Sequence, residues 1–356
     1  MGELRLMKGN EALAEAAIRA GMDAYFGYPI TPQSEILEYL TREAYLRTQC
    51  TILQAESEIA SINMVYGAAG VGARVMTSSS SPGISLMQEG ISYIAGAELP
   101  CLLVNINRGG PGLGTIQPSQ GDYFQSVKGG GHGDYRLIVL APATVQEMAD
   151  FVLDGWELAD KYRNPVMILS DGALGQMMEK VELRDQLDRN ARKTPEWAIV
   201  GKPAERDRIF ITSLFIKPEE MEQVNIHLQE KYRLIEANEI RVQEIDTEDA
   251  DFVIVAYGLS ARIGHKVMEM LRAEGMKIGL IRPITLWPYP YAAIAKVAEH
   301  VKGFLSLELN AGQMVEDVRL AVNGRCPVGH YGRMGGIIPS PEEVVEVVKD
   351  MYSKIK

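Results

Sequence analysis

Along the first half of the chain, apolar positions switch regularly between helical and strand spacing. Leu13, Ala16, Ala17 and Ala20 share one helical face and Gly21 follows them as a stop, so a helix starting at Gly9-Asn10 opens the chain. Residues 24–28 read as a short strand. Thr31-Pro32 reads as an N-cap with proline at the first position of a helix to about 45. A strand over 51–55, a helix over 58–69 and a strand over 74–77 follow. Ser81-Pro82 is expected to cap a helix to about 98, and 101–106 is a continuous apolar run of the kind buried on both faces of a sheet. A glycine-rich loop over 107–133 breaks the rhythm before a strand at 137–140, a helix at 144–162 and a strand at 166–169.

Helices of this length between such strands predict a parallel sheet covered on both faces. From 182 to 249 charge dominates, and 218–241 reads as one long polar helix, so this stretch is expected to link two domains. A second alternation then places strands at 252–256, 277–281, 303–307 and about 328–331, with helices between and after them. The expected class is α/β, with two three-layer αβα domains of mainly parallel sheets over 1–181 and 250–356.

Composition narrows the function. The 356 residues are 46% hydrophobic and 23% charged, close to the globular average, which excludes disorder and coiled coil. No apolar run approaches the roughly 18–20 residues of a membrane span. A net charge of −11 argues against nucleic acid as a partner. Met1 to Met7 has no apolar export core, and the three cysteines are scattered, so a reducing, cytoplasmic setting is expected. Neither the cysteines nor the five histidines show metal-site spacing.

Candidate chemistry concentrates where strands turn into helices, the edge at which open parallel sheets bind ligands. Four junctions are loaded: Thr31 in Tyr28-Pro29-Ile30-Thr31-Pro32, Glu58 in Glu56-Ser57-Glu58, the run Ser78 to Gly83, and Arg108 before Gly109-Gly110-Pro111. Each has an ordinary reading as well. Thr31 is a good N-cap, and Glu58 complements a helix dipole. The serines suit a turn, and Arg108 suits a solvated loop. Glu58 is followed by Ile59, Ile62 and Val65, so its carboxylate could border a dry site suited to proton traffic. The glycines after Arg108 permit close approach of a ligand. Other motifs fail. Gly110 to Gly114 lacks the spacing of a dinucleotide fingerprint, no phosphate-loop lysine motif exists, and the segment around Ser85 lacks the final glycine of a nucleophile elbow. A hydrolase using Ser85 and His132 is therefore weakly supported, and His132 equally suits structural loop contacts. Met64, Met76 and Met87 are candidates for an apolar pocket wall or for core.

These motifs resemble the alpha-type subunit of 2-oxoacid:ferredoxin oxidoreductases, thiamine-diphosphate enzymes. The resemblance rests on Tyr-Pro-Ile-Thr-Pro at 28–32, Glu-Ser-Glu-Ile-Ala at 56–60, Ser-Pro-Gly-Ile-Ser-Leu-Met-Gln-Glu at 81–89 and Arg-Gly-Gly-Pro at 108–111. Pro-Ser-Gln-Gly-Asp at 118–122 and His-Gly-Asp at 132–134 also fit. It is strong over 1 to about 180 and looser beyond, and it is most like the branched-chain (2-oxoisovalerate) type, then the 2-oxoglutarate type. It implies a pyrimidine-binding thiamine-diphosphate domain followed by a domain like the C-terminal domain of transketolase. Glu58 would share a proton with N1′ of the aminopyrimidine, and Ser81 and Pro82 would border the cofactor. Thr31 and Arg108 would hold the 2-oxoacid carboxylate. Coenzyme A would collect the acyl group, and electrons would leave toward ferredoxin. The chain has no Gly-Asp-Gly; Ser170-Asp171-Gly172 is the nearest match. The resemblance therefore implies that Mg²⁺, the diphosphate site and an iron–sulfur cluster lie on a beta-type partner, with a gamma-type subunit and ferredoxin or a ferredoxin-like subunit completing the system. A non-catalytic scaffold subunit is the competing reading.

Overall fold

The computed structural model describes residues 3–201 and 206–354. The first half runs β1 (Glu3–Lys8), α1 (Gly9–Arg19), β2 (Ala24–Gly27), α2 (Ser34–Thr48), β3 (Thr51–Gln54), α3 (Glu58–Gly70), β4 (Val75–Ser79), α4 (Ser81–Gly96) and β5 (Cys101–Asn107). It continues through α5 (Tyr123–Val127), β6 (Ile138–Leu140), α6 (Val145–Tyr162), β7 (Pro165–Asp171), α7 (Gly172–Gln176) and β8 (Met178–Leu183). After α8 (Pro218–Asn238) come β9 (Val242–Ile245), β10 (Phe252–Val255), α9 (Gly258–Ala273), β11 (Ile278–Pro283) and β12 (Thr285–Trp287). The chain closes with α10 (Tyr291–Val297), β13 (Gly303–Glu308), α11 (Met314–Val322), β14 (Val328–Gly332) and α12 (Pro341–Lys354).

The larger sheet has the order β12-β6-β7-β5-β4-β2-β3. All its pairings are parallel except β12 against β6. Every residue of β5 and β7 is buried, as their mainly apolar sequences require of central strands covered on both sides. Right-handed crossovers place α3 and α4 on one face, where they pack together, and α2 and α6 on the other, where both meet α1. The smaller sheet, β14-β13-β10-β11-β9, is parallel apart from β9. No helix among the described residues is long and apolar enough to cross a membrane.

Several elements depart from the sequence expectation. Strand β1 pairs antiparallel with β8, and its mostly exposed, mixed-charge residues carry no apolar periodicity to betray it. Strand β9 lies within the charged 182–249 stretch yet joins the smaller sheet beside β11. Thr31 is not an N-cap: the Thr31–Pro32 peptide is cis, and α2 begins at Ser34 with Gln33 in the cap position. Helix α4 is offset by one residue. Ser80 is its N-cap and donates to the Ile106 carbonyl at 2.7 Å, so Ser81 and Pro82 already lie within the first turn. By contrast, α6 starts as its sequence predicts. Thr144 Oγ1 accepts from the Glu147 amide at 3.1 Å, while Glu147 reaches back to the Ala143 amide at 2.7 Å.

Candidate active site

The carboxyl edge of the larger sheet gathers the loaded junctions. At the end of β2, the Gln33 amide donates to the Tyr28 carbonyl at 3.3 Å, and its Oε1 accepts from Ser78 Oγ at 2.6 Å. That link fastens the Tyr-Pro-Ile-Thr-Pro turn to the end of β4, where Tyr25 also shares a hydrogen bond with Ser78.

Glu58 is the first residue of α3, set there by Ser57, whose hydroxyl accepts from the Ala60 amide at 3.2 Å. Glu58 is only 6% exposed, yet among the described residues its carboxylate has no hydrogen-bond or ion-pair partner. It lies against Gly83 on α4. A Cβ built there would stand 2.5 Å from Glu58 Oε1 and 2.0 Å from Ser79 Oγ, so only glycine leaves room for both groups. The Ser79 hydroxyl is itself buried without a partner. Glu56, two residues earlier, is exposed and accepts from Ser57 Oγ, so it takes no part in this recess. An unpartnered carboxyl group on a largely buried side chain, beside a glycine-lined gap, can share a proton with a heteroaromatic ring nitrogen.

Arg108 follows β5 and is 7% exposed. Its Nη1 donates to the Thr31 carbonyl at 3.0 Å and its Nη2 to the Leu113 carbonyl at 2.8 Å, while Nε is buried without a partner. Arg108 and Thr31 are thus brought together, but through the threonine backbone; Thr31 itself is exposed. Two fixed hydrogen bonds orient a guanidinium that still has free N–H groups, a suitable arrangement for a carboxylate. Ser81 links this group to the glutamate. Its Oγ accepts from the Arg108 amide at 3.1 Å, and Gly83, two residues on, forms the Glu58 recess. Pro82 is half-buried between them in sequence.

Other sequence candidates separate from this edge. His132 is exposed and meets the Tyr93 ring edge-on at 6.5 Å, while Ser85 Oγ donates to the Ser81 carbonyl and accepts from Gln125. Among the described residues no hydrogen bond joins Ser85 to His132, which removes the nucleophile–base pair a serine hydrolase needs. Met76 and Met87 are fully buried core, and Met64 is exposed. Asp171 of the near Gly-Asp-Gly match is committed elsewhere. Its Oδ1 caps α7 by accepting from the Ala173 and Leu174 amides at 2.8 and 3.1 Å, and burial pushes its carboxyl up to about 6. Among the described residues no group of three His, Cys, Asp or Glu side chains is arranged to hold a metal ion.

Sequence reasoning did not assign roles to Asn105, Asn107, Gln120 and Asp122. Asn105 Nδ2 donates to Asp122 at 2.8 Å, and burial raises the Asp122 carboxyl above its ordinary range against the pull of Ser81 and Asn105. Asn105 Oδ1 and Asn107 Nδ2 are buried without partners. The signal was present, since two asparagines interrupt an otherwise apolar central strand. Asp122 opens onto a cleft of about 350 Å³ that Pro111 and Ser119 share with Asn310, Gln313 and Met334 of the C-terminal half.

Residues 15–247 match the family described as pyruvate flavodoxin/ferredoxin oxidoreductase, thiamine diphosphate-binding, and 250–344 match pyruvate:ferredoxin oxidoreductase core domain II. The chain belongs to the pyruvate flavodoxin/ferredoxin oxidoreductase family. It is 50% identical to ketoisovalerate oxidoreductase subunit VorB of Methanothermobacter thermautotrophicus, across 98% of this chain and 97% of that one. It is 36% identical to 2-oxoglutarate synthase subunit KorA of Methanocaldococcus jannaschii, across 97% and 99% respectively. Among solved structures, 2-oxoglutarate:ferredoxin oxidoreductase from Magnetococcus marinus, with 2-oxoglutarate, coenzyme A and succinyl-CoA bound, superposes with a TM-score of 0.86 at 28% identity. That match covers 98% of this chain and 65% of the larger one. A split-gene transketolase at 15% identity and a TM-score of 0.62 shares the fold.

Proposed function

We propose that this chain supplies the aminopyrimidine and substrate-carboxylate side of a thiamine-diphosphate active site in a coenzyme A-acylating 2-oxoacid:ferredoxin oxidoreductase, acting on a branched-chain 2-oxoacid such as 2-oxoisovalerate. The observation that carries the reading is the unpartnered carboxyl of the largely buried Glu58, in a recess that only Gly83 leaves open. Thiamine diphosphate, when bound, supplies the carbon nucleophile and electron sink for decarboxylation. Glu58 holds a proton at the ring nitrogen of the aminopyrimidine, and Ser81 and Pro82 border that ring. Arg108, fixed by two carbonyls, presents its remaining N–H groups to the 2-oxoacid carboxylate beside the Thr31 hydroxyl.

Support for a branched-chain substrate comes from the higher identity to the ketoisovalerate subunit and from Leu113 and Ile116, exposed apolar residues on the loop that holds Arg108. Asp171 is occupied as a helix cap, so the Mg²⁺–diphosphate site is assigned to a beta-type partner that also carries an iron–sulfur cluster. Coenzyme A is the acyl acceptor, and a gamma-type subunit and ferredoxin complete the system. We place it in the reducing cytoplasm, where the free thiols Cys50, Cys101 and Cys326 persist.

The test is turnover by the chain alone and with its partner subunits, given thiamine diphosphate, Mg²⁺, coenzyme A, ferredoxin and a panel of 2-oxoacids. Activity only in the complex, highest with 2-oxoisovalerate, is expected. Activity of the isolated chain removes the shared site, and a preference for 2-oxoglutarate removes the substrate assignment. If Arg108→Ala leaves the KM for 2-oxoacid unchanged, the carboxylate role fails and the scaffold reading gains.

A further inference from the structure

The loop between Arg108 and Pro118 is closed twice through its backbone. The Gly109 amide donates to the Gln117 carbonyl at 3.0 Å, and the Thr115 amide donates to the Gly109 carbonyl at 2.7 Å. Gly114 makes the inner crossing, since a Cβ there would stand 1.8 Å from the Gly109 carbonyl oxygen. The C-terminal half braces the outside: a Cβ built on Gly336 would stand 2.3 Å from Gln117 Cβ, and one on Gly109 would stand 2.9 Å from the Gly335 carbonyl carbon. On the far side, a Cβ built on Gly172 would meet Pro32 Cγ at 2.9 Å and the Ile116 carbonyl oxygen at 3.6 Å, so the loop also lies close to the Thr31–Pro32 turn. It is therefore a fixed bridge between Arg108 and Thr31. Leu113 and Ile116 apart, residues 109–117 are glycine, proline, threonine and glutamine.

Leu113 is 81% exposed on this chain. A lone exposed leucine is ordinary, but this one is tied to the cation of the site, because its carbonyl accepts from Arg108 Nη2 at 2.8 Å. A Cα lies about 2.4 Å from its own carbonyl oxygen, so Leu113 Cα stands within about 5 Å of that nitrogen. Standard bond lengths give the isobutyl group a reach of about 4 Å from Cα. The branch methyls of a 2-oxoacid reach about as far from its carboxylate carbon. With that carboxylate on the guanidinium, the two aliphatic groups can reach each other. The leucine side chain has nothing to offer a second carboxylate, so contact with it favours methyl groups over charge. We propose that Leu113 is a specificity-determining residue, packing on the branched aliphatic chain of the 2-oxoacid while Arg108 holds the carboxylate. This assignment rests on the carboxylate role proposed for Arg108.

The experiment measures kcat/KM of the assembled complex for 2-oxoisovalerate and for pyruvate, which carries one methyl in place of the branch. Leu113→Ala keeps the carbonyl that holds Arg108 and removes only the isobutyl contact. The ratio of the two kcat/KM values is expected to fall about tenfold, the scale of a few lost methyl contacts in an apolar pocket. Leu113→Met restores an apolar side chain of similar size and brings the ratio back to within about twofold of the parent. A merely structural role would lower both substrates together, so an unchanged ratio in Leu113→Ala overturns the inference. Equal loss of selectivity in Leu113→Met and Leu113→Ala overturns it too. Loss of assembly in Leu113→Ala, read by size-exclusion chromatography, would make the side chain a contact with the partner subunit and is equally decisive against it. Failure of the underlying reading shows elsewhere: in a parent complex that prefers 2-oxoglutarate, or in an unchanged KM for Arg108→Ala.

Discussion

Gly83→Ala separates folding from chemistry more sharply than removal of any polar group. The glycine is the third residue of α4, where alanine is the better helix former by about 1 kcal/mol. The new methyl would sit 2.0 Å from Ser79 Oγ, 2.5 Å from Glu58 Oε1 and 2.8 Å from Glu58 Cγ, all atoms of rotatable side chains, and ordinary contact begins at 3.4 Å. The glutamate carboxylate therefore has to retreat by about 1 Å. Neither displaced group gives up a hydrogen bond, since Ser79 Oγ and the Glu58 carboxylate have no partner among the described residues. The displacement is thus cheap, and stability should change by less than about 1 kcal/mol in either direction. Catalysis should not tolerate it: a 1 Å misplacement of a reacting group costs on the order of 10²-fold. The assay pairs thermal unfolding of the chain with thiamine-dependent ferredoxin reduction by the reconstituted complex. Retention of turnover would remove the Glu58–Gly83 recess from the active site. Loss of turnover accompanied by a collapse in Tm would refute the claim that the two side chains move freely.

Further predictions follow from the same contacts. Glu58→Gln keeps the side-chain shape but cannot exchange a proton, so turnover should fall by about 10²–10⁴ with Tm unchanged; near-parental kcat in the complex would contradict it. Gln120→Ala strands the buried Leu309 amide, Ser260 hydroxyl and Tyr257 carbonyl, and urea unfolding should show a loss of about 2–4 kcal/mol. Asp171 carries a carboxyl raised by burial from 3.8 to about 6, so the fold favours its protonated form. Its contribution is complete below pH 3.8 and is lost as pH rises through about 6. Asp171→Asn keeps the cap without the charge, so it should be more stable than the parent above pH 6, with a flatter Tm profile between pH 4 and 7. A steeper profile would reverse the sign of the argument.

Much of this was legible in the chain because burial on both faces forces mainly apolar runs, as at the start of β5 and β7. Sequence also brought Thr31, Glu58, Ser81 and Arg108 to one sheet edge, since in a parallel sheet strand–helix junctions share a side. What stayed hidden was set by long-range pairing. β1 and β12 are short, and neither has a pattern of its own strong enough to name a partner. The cap assigned to Thr31 failed because a threonine before proline has the same letters whether or not the backbone enters a helix there. Gln120 and Asp122 stood out only as letters of the 118–122 motif, without a role of their own. Their partners, Leu309 and Asn105, lie far away in sequence or on another element, and only the folded chain pairs them.

Strand β12 belongs by sequence to the second half but closes the edge of the sheet built by the first, with Thr285 opposite Leu140 and Trp287 opposite Val139. The buried Trp287 ring then meets Tyr232 of α8 edge-on at 5.6 Å. A gene cut between the halves would bare the backbone rim of β6 on one product and leave a homeless indole on the other. Recombination among relatives therefore cannot trade the C-terminal half as a cassette unless the donor's three-residue insert also suits the recipient's rim, which binds the inheritance of the two halves together.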